Sequence, residues 1–312
     1  MGSGFDLLAA NGNGGIYLPG AEAWVWGDFY GAVSRAVVCL GGYLYVAGAA
    51  GKVFKYGPTT MTKLAESDAY GGDMYALATD GTYIYGGGAT TQKIYKYDPA
   101  DMSKLTESPS VGGTIRGLVV LGNHIYTADT TTRRVRKYLL ADLTYVNQSD
   151  DYGGALWSVV TDGTSIFGAG ATTRKVWKID PADMSKLNES AVYGGTITAL
   201  ASDGSYVYAG GVTTNKVWQL KVADLTLNAT GPDYGNYITA LACAGDKVFC
   251  GGEGRRSVME IATADMSLTD ESPAWRGIIN GLAIGDGFLF AAGDTIQGPA
   301  WWLRNVYAIA VP

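Results

Sequence analysis

The chain is poor in histidine, cysteine and charge, and it lacks a long apolar run. One histidine, His124, in 312 residues excludes metal centres built from several imidazoles and leaves a His-based triad no second choice of base. Three cysteines are too few for a disulfide scaffold. Cys243 and Cys250 flank one predicted hairpin turn and read as small buried residues. Charged residues make up 17% of the chain and the net charge is -6, so the surface as a whole is no trap for nucleic acid. No apolar stretch reaches the length needed to cross a bilayer. The opening residues MGSGFDLLAANGNGG lack the basic and apolar regions of a signal peptide. The expectation is a soluble chain with no membrane insertion and no nucleic-acid partner.

What the chain does have is glycine, 45 residues of it, beside 47% apolar residues and 21 tyrosines. That mixture suits short strands joined by tight turns and is too apolar for disorder. Self-similarity carries the fold. Lys52–Tyr56 reads KVFKY, and the same segment returns from Lys93, Arg134, Lys175, Lys216 and Ser257, each start 41 residues after the last. A final copy, NVYAI, begins at Asn305, 48 residues on, so the last repeat holds a seven-residue insertion.

One unit reads as four strands. MYALAT from Met74 is followed by an Asp80-Gly81 turn, YIYGGG from Tyr83, KIYKY from Lys93, a DPADM loop and SKLTES. Asp-Gly between β-rich runs is a hairpin signal, and Pro99 and Pro181 fall in loops, where a missing N–H is harmless. Units of four antiparallel strands with this period predict a seven-bladed β-propeller. The last repeat stops after its third strand. Ala21–Trp26 aligns with a fourth strand, so it is expected to complete the last blade and close the ring, removing exposed edges. Residues 1–20 then form a Gly-rich N-terminal arm and 21–312 the propeller.

The repeat length, the DG turns and the Ile179-Asp-Pro-Ala182 loop resemble the broad YVTN, NHL and WD40-type propeller group. The Gly-His and Trp-Asp signatures of WD40 repeats are absent. The resemblance implies fold; the group hosts unrelated activities.

Two faces follow from alternating strand direction. The first carries a repeated aromatic (Tyr30, Tyr70, Tyr152, Tyr193, Tyr234 and Trp275, with Val111 as the exception), read either as a wedge between blades or as a stacking surface for sugars. The start of the inner strand varies from copy to copy: Arg35, Tyr75, Arg116, Trp157, Thr198, Thr239 and Asn280. These residues are expected around the mouth of the central channel, and Arg, Tyr and Trp are favoured where proteins bind. Arg255 and Arg256 stand in a loop on this face, and the insertion brings Trp301, Trp302 and Arg304. The opposite face is acidic, with Asp80, Asp162 and Asp203 at turns and Asp98, Asp101, Asp142, Asp180, Asp183, Asp224 and Asp265 in or near the other loops. That spacing reads as turn capping, with no calcium loop.

No catalytic motif, metal site or cofactor is expected. The sequons at Asn147, Asn188 and Asn228 are expected to be unmodified. The sequence predicts a non-enzymatic binding or assembly module, whose partners are other structural proteins of a larger particle, such as a phage virion, or a surface glycan. A lectin-like propeller is the alternative, and a lactonase- or lyase-type enzyme a more distant one. The expected location is a virion or extracellular particle.

Overall fold

The computed structural model describes residues 16–17, 30–57, 62–272, 274, 277–285, 287–293 and 306–310, the first and last of these segments as strand course only. The described strands form seven four-stranded sheets. Six are blades of the predicted kind, each a meander of four consecutive antiparallel strands. In the second blade they are Met74–Thr79, Ile84–Gly88, Tyr95–Tyr97 and Lys104–Glu107.

The seventh sheet departs from that pattern. Ile279–Gly285, Phe288–Gly293 and Val306–Ala310 pair antiparallel, but the fourth strand is Ile16–Tyr17, and it runs parallel to Val306–Ala310. The expectation of four antiparallel strands in every blade therefore holds for six. The closing segment also differs: Ile16–Tyr17 belongs to the stretch assigned to the arm, and Ala21–Trp26 lies outside the described residues. The physical reason is that an edge strand offers backbone donors and acceptors to a neighbour of either direction. The meander, which forces antiparallel pairing elsewhere, does not connect these two segments.

The ring closes through the inner strands. Asn280 Nδ2 donates to the Ser34 carbonyl at 3.1 Å, across the seam between the seventh and first sheets. Gly281 sits so near the first inner strand that a Cβ there would lie 3.1 Å from the Arg35 carbonyl.

The core lies between blades. Tyr45, Ala47 and Val53 of the first blade pack with Tyr70, Met74, Leu77 and Tyr97 at the second, and six further clusters repeat this around the ring. Each buried side chain of this size contributes about 1.5–3 kcal/mol through area removed from water. Polar links add to it. Lys55, Lys96, Lys137 and Lys178 each donate through Nζ to a backbone carbonyl in the next blade, at 2.7, 3.2, 2.6 and 2.9 Å.

The repeated tyrosines are part of this architecture. Tyr30, Tyr70, Tyr152, Tyr193 and Tyr234 are fully enclosed, and each hydroxyl donates to the carbonyl of Lys52, Lys93, Lys175, Lys216 or Ser257 at 2.6–2.8 Å. Their rings pack on Phe54, Tyr95, Trp177 and Trp218 at four of the five positions. A ring enclosed in this way offers no face to a sugar, so the stacking-surface reading of these five positions is corrected. Trp275 lies outside the described residues.

The third blade breaks the pattern three times at one place. Val111 replaces the tyrosine, Arg136 the aromatic that packs on it, and Asp129 a glycine. In the second blade that glycine is Gly88, where a Cβ would lie 2.0 Å from the Asp73 carbonyl. Asp129 is fully buried, and its carboxylate accepts from the backbone N–H of Thr131 and Thr132 and from the Thr132 hydroxyl. The equivalent backbone bond, Thr130 N–H to the Thr114 carbonyl, is 3.2 Å against 2.8 Å for Ala89 and Asp73.

On the acidic face, the aspartates hold turns. Asp80 accepts from the N–H of Thr82 and Tyr83, and Asp101 from that of Ser103. In the same loops Met102, Leu143, Met184, Leu225 and Met266 take φ near +60° and bury their side chains under the blade. Asn147 and Asn188 donate to the Asp183 and Asp224 carbonyls of the following blade, which gives both sequon side chains a structural role.

Candidate interaction surface at the channel mouth

Every inner strand carries a register shift against its neighbour, always at the same place. It falls between Ser34 and Ala36, Met74 and Ala76, Ile115 and Gly117, Leu156 and Ser158, Ile197 and Ala199, Ile238 and Ala240, and Ile279 and Gly281. The extra residue of each bulge is therefore Arg35, Tyr75, Arg116, Trp157, Thr198, Thr239 or Asn280. A bulge leaves one residue out of the ladder and re-aims its side chain. Here it does so seven times around one axis, and these seven side chains line a single cavity of about 190 Å³. Below it the wall is small or apolar, with Ala76, Gly117 and Ala199 above Leu77, Leu118 and Leu200.

Half of the mouth is a stack. Arg35 lies 4.7 Å from the Tyr75 ring centre, Arg116 lies 3.9 Å from the same ring, and Arg116 is also 4.6 Å from Trp157. Cation and ring thus alternate over four consecutive repeats. Such contacts are worth about 0.5–2 kcal/mol each, rising as water is excluded. The other half is tied down. The Thr198 and Thr239 hydroxyls donate to the Ile238 and Ile279 carbonyls of the next inner strand, as Asn280 does to Ser34.

The two arginines differ. Arg35 pairs with Asp73 at 3.0 Å, and Tyr75 donates to the same carboxylate oxygen at 3.3 Å. Arg116 makes no hydrogen bond or ion pair with any described residue. Burial lowers its pKa and Arg35 adds to this, with Tyr75 and Asp73 acting in the opposite direction. An arginine nonetheless stays protonated in a protein, so the mouth carries one uncompensated positive charge.

No protein-family profile matches the chain, and no curated protein does. Solved structures do. The WD40 repeats of RRP9 superpose with a TM-score of 0.81 at 15% identity, over 93% of this chain and 97% of that one. U3-55K superposes equally well at 15% identity, over 92% and 98%. The WD40 β-propeller domain of Doa1 gives 0.78 at 11%, over 91% and 95%. The chain has the WD40-type β-propeller fold. At these identities the likeness is one of fold, and it reaches the whole ring of blades without the Gly-His and Trp-Asp signatures.

The structure thus brings Arg35, Tyr75, Arg116 and Trp157 together at the mouth. Arg255 and Arg256 are not there. Arg255 pairs with Glu271 at 2.9 Å and reaches the Asp233 carbonyl, while Arg256 holds a loop position with φ 57°. Both lie in the loop between the second and third strands of their blade, away from the channel. Trp275, Trp301, Trp302 and Arg304 lie outside the described residues. The bulge itself has no sequence signature. The variable positions that form the stack stand 40 or 41 residues apart in the sequence, and consecutive copies become neighbours around a ring.

Other chemistry-bearing groups stand apart from the mouth. His124 follows the turn at the far end of an inner strand, paired with Leu121. Cys243 and Cys250 are free and pair in register with Val248 and Leu241 rather than with each other; burial pushes the Cys250 thiol up to about 12. Among the described residues no group of three or more His, Cys, Asp or Glu is placed to hold a metal ion, and no helix is long and apolar enough to cross a membrane.

Proposed function

We propose that this chain is a non-enzymatic protein-interaction module whose binding face is the channel-mouth face, with Arg35, Tyr75, Arg116 and Trp157 at its centre. One observation carries the reading. The positions that escape the repeat are also the ones the bulges turn into one cavity. Architecture asks for the same residue in each copy, as the tyrosines show; Thr198, Thr239 and Asn280 are spent on the neighbouring strand, and Arg35, Tyr75, Arg116 and Trp157 are the bulge residues that answer to something outside the fold. Arg, Tyr and Trp dominate binding hot spots. The likeness in fold to WD40-repeat structures supports a scaffold role. In this reading Trp275, Trp301, Trp302 and Arg304 are further candidate contacts for the partner, whereas Arg255 and Arg256 lie aside from the centre of the face. The finer expectation of a virion or other particle component rests on the look of the repeat alone, and co-sedimentation with particles in a gentle lysate tests it.

The test of the binding face is selection from a random peptide display library on immobilised protein. Enriched peptides should lose binding to the Thr198→Phe variant, whose uncharged ring fills the mouth. Retention of binding by that variant, or the absence of any enrichment, overturns the reading.

A further inference from the structure

We propose that the mouth seats a single carboxylate, presented by an acidic peptide segment of a protein partner and held by Arg116. The proposal rests on the mouth being the binding face and adds the chemistry of what enters it. Three observations on the cavity lead there.

The first is charge. Asp73 is the carboxylate beside the mouth, and it is engaged by Arg35 and by the Tyr75 hydroxyl. Arg116 lies between two rings with no anion of its own. The rings hold its guanidinium in one plane, which removes side-chain freedom that a partner would otherwise have to freeze.

The second is the balance of donors and acceptors. Arg35 Nε, Arg116 Nε and Trp157 Nε1 are enclosed without an acceptor and lie out of a ligand's direct reach. The hydroxyls of Thr198 and Thr239 and the amide of Asn280 donate to backbone carbonyls. The hydrogens on that half are spent, so the donors left for a ligand at the mouth are those of the Arg116 guanidinium, and their complement is a group that accepts. A carboxylate on an arginine forms the stronger, charge-assisted kind of hydrogen bond.

The third is size. The mouth cavity holds about 190 Å³ and continues into a second space of similar volume that shares six of its seven lining residues. It suits the end of an acidic side chain or a chain terminus, the rest of the partner lying across the face outside.

The experiment follows the Trp157 indole N–H by nitrogen-15 NMR in the full-length protein. The probes are the acetylated, amidated pentapeptide Gly-Gly-Glu-Gly-Gly, its Gln isostere, glutarate and inorganic phosphate, each up to millimolar concentration. The expected result is a saturable shift with the Glu peptide, at least roughly tenfold weaker binding of the Gln peptide, and loss of that contrast in Arg116→Met, which keeps a stem between the rings. The Glu/Gln contrast on the unaltered protein decides the matter even where Arg116→Met does not fold. Equal affinity of Glu and Gln peptides overturns the proposal while leaving the mouth a binding face. Equal affinity of glutarate or phosphate assigns the site to a free anion and overturns the peptide. If display peptides bind the mouth but carry no acidic residue, the inference fails and the binding-face reading stands; if none binds there, that reading fails itself.

Discussion

The triple exception in the third blade makes a sharp energetic prediction. In five blades a tyrosine hydroxyl bridges the loop between the second and third strands. In the second blade it accepts from the N–H of Gly88 and Lys93 at 3.0 and 3.2 Å and donates to the Lys93 carbonyl at 2.7 Å. In the third blade the Asp129 carboxylate organises the corresponding loop instead, accepting from Thr131 N–H at 3.0 Å and Thr132 N–H at 2.7 Å. The two solutions exclude each other, because the tyrosine oxygen and the carboxylate serve the same loop. Asp129→Gly alone removes two N–H bonds to a carboxylate in a loop that water reaches, and the release of a buried charge is a partial offset; a net loss of about 1–2 kcal/mol is expected. Val111→Tyr alone forces a ring into a filled site and costs about 1–3 kcal/mol. In the double variant the new hydroxyl should take up the bonds seen at Tyr70, at about 1 kcal/mol each. It should therefore be more stable than the sum of the single losses by at least about 2 kcal/mol. Urea unfolding of the four proteins at 25 °C, followed by fluorescence and circular dichroism together, measures this coupling. A coupling under about 0.5 kcal/mol would refute the idea that Asp129 and the tyrosine are alternative fastenings.

Two further predictions concern single groups. Tyr70→Phe removes a hydroxyl that three backbone groups use, so amide exchange at Gly88 and Lys93 should speed up by one to two orders of magnitude, equivalent to about 1–3 kcal/mol of local opening; unchanged exchange at both would contradict the bridging role. Glu107 is held down to about 2, below its ordinary value of 4.5, first by Lys104 and then by Lys93. Because the folded value is the lower one, the ion pairs stabilise the protein above pH 4.5, and the contribution is lost as pH falls from there toward 2. Glu107→Gln should flatten the unfolding midpoint against pH in that window, by less than about 1 kcal/mol since both partners are near the surface; an unchanged acid slope would show that the pair contributes nothing.

Much of the fold was legible because it is local. Strand runs, Asp-Gly turns and loop prolines are read over a few residues, and the 41-residue spacing of KVFKY and its copies adds them into blades. Met74–Thr79 begins and ends where the alternation of its residues says it should. The mouth was legible for the same reason: a position that varies at fixed spacing becomes a ring when the repeats do. The closing strand was not legible. Ala21–Trp26 looks like a fourth strand, yet the strand paired with Val306–Ala310 is Ile16–Tyr17, running parallel. Pairing between the two ends of a chain is chosen by edge geometry, and no repeat constrains it.

The sequence by itself determined the repeat, the strand order within a blade and which residue of each inner strand departs from its copies. Tertiary structure alone decided what those residues touch. Tyr70 could have offered its ring to a sugar; residues of the first and second blades enclose it, and the Lys93 carbonyl of the second takes its hydroxyl. Arg35 and Arg116 are alike in sequence, but Asp73 bonds only the first and acts on the second through space, so the second has no anion in contact with it. Contacts of this kind join atoms about 20 to 40 residues apart across two blades, and they depend on distances of a few ångströms that a one-dimensional spacing does not contain.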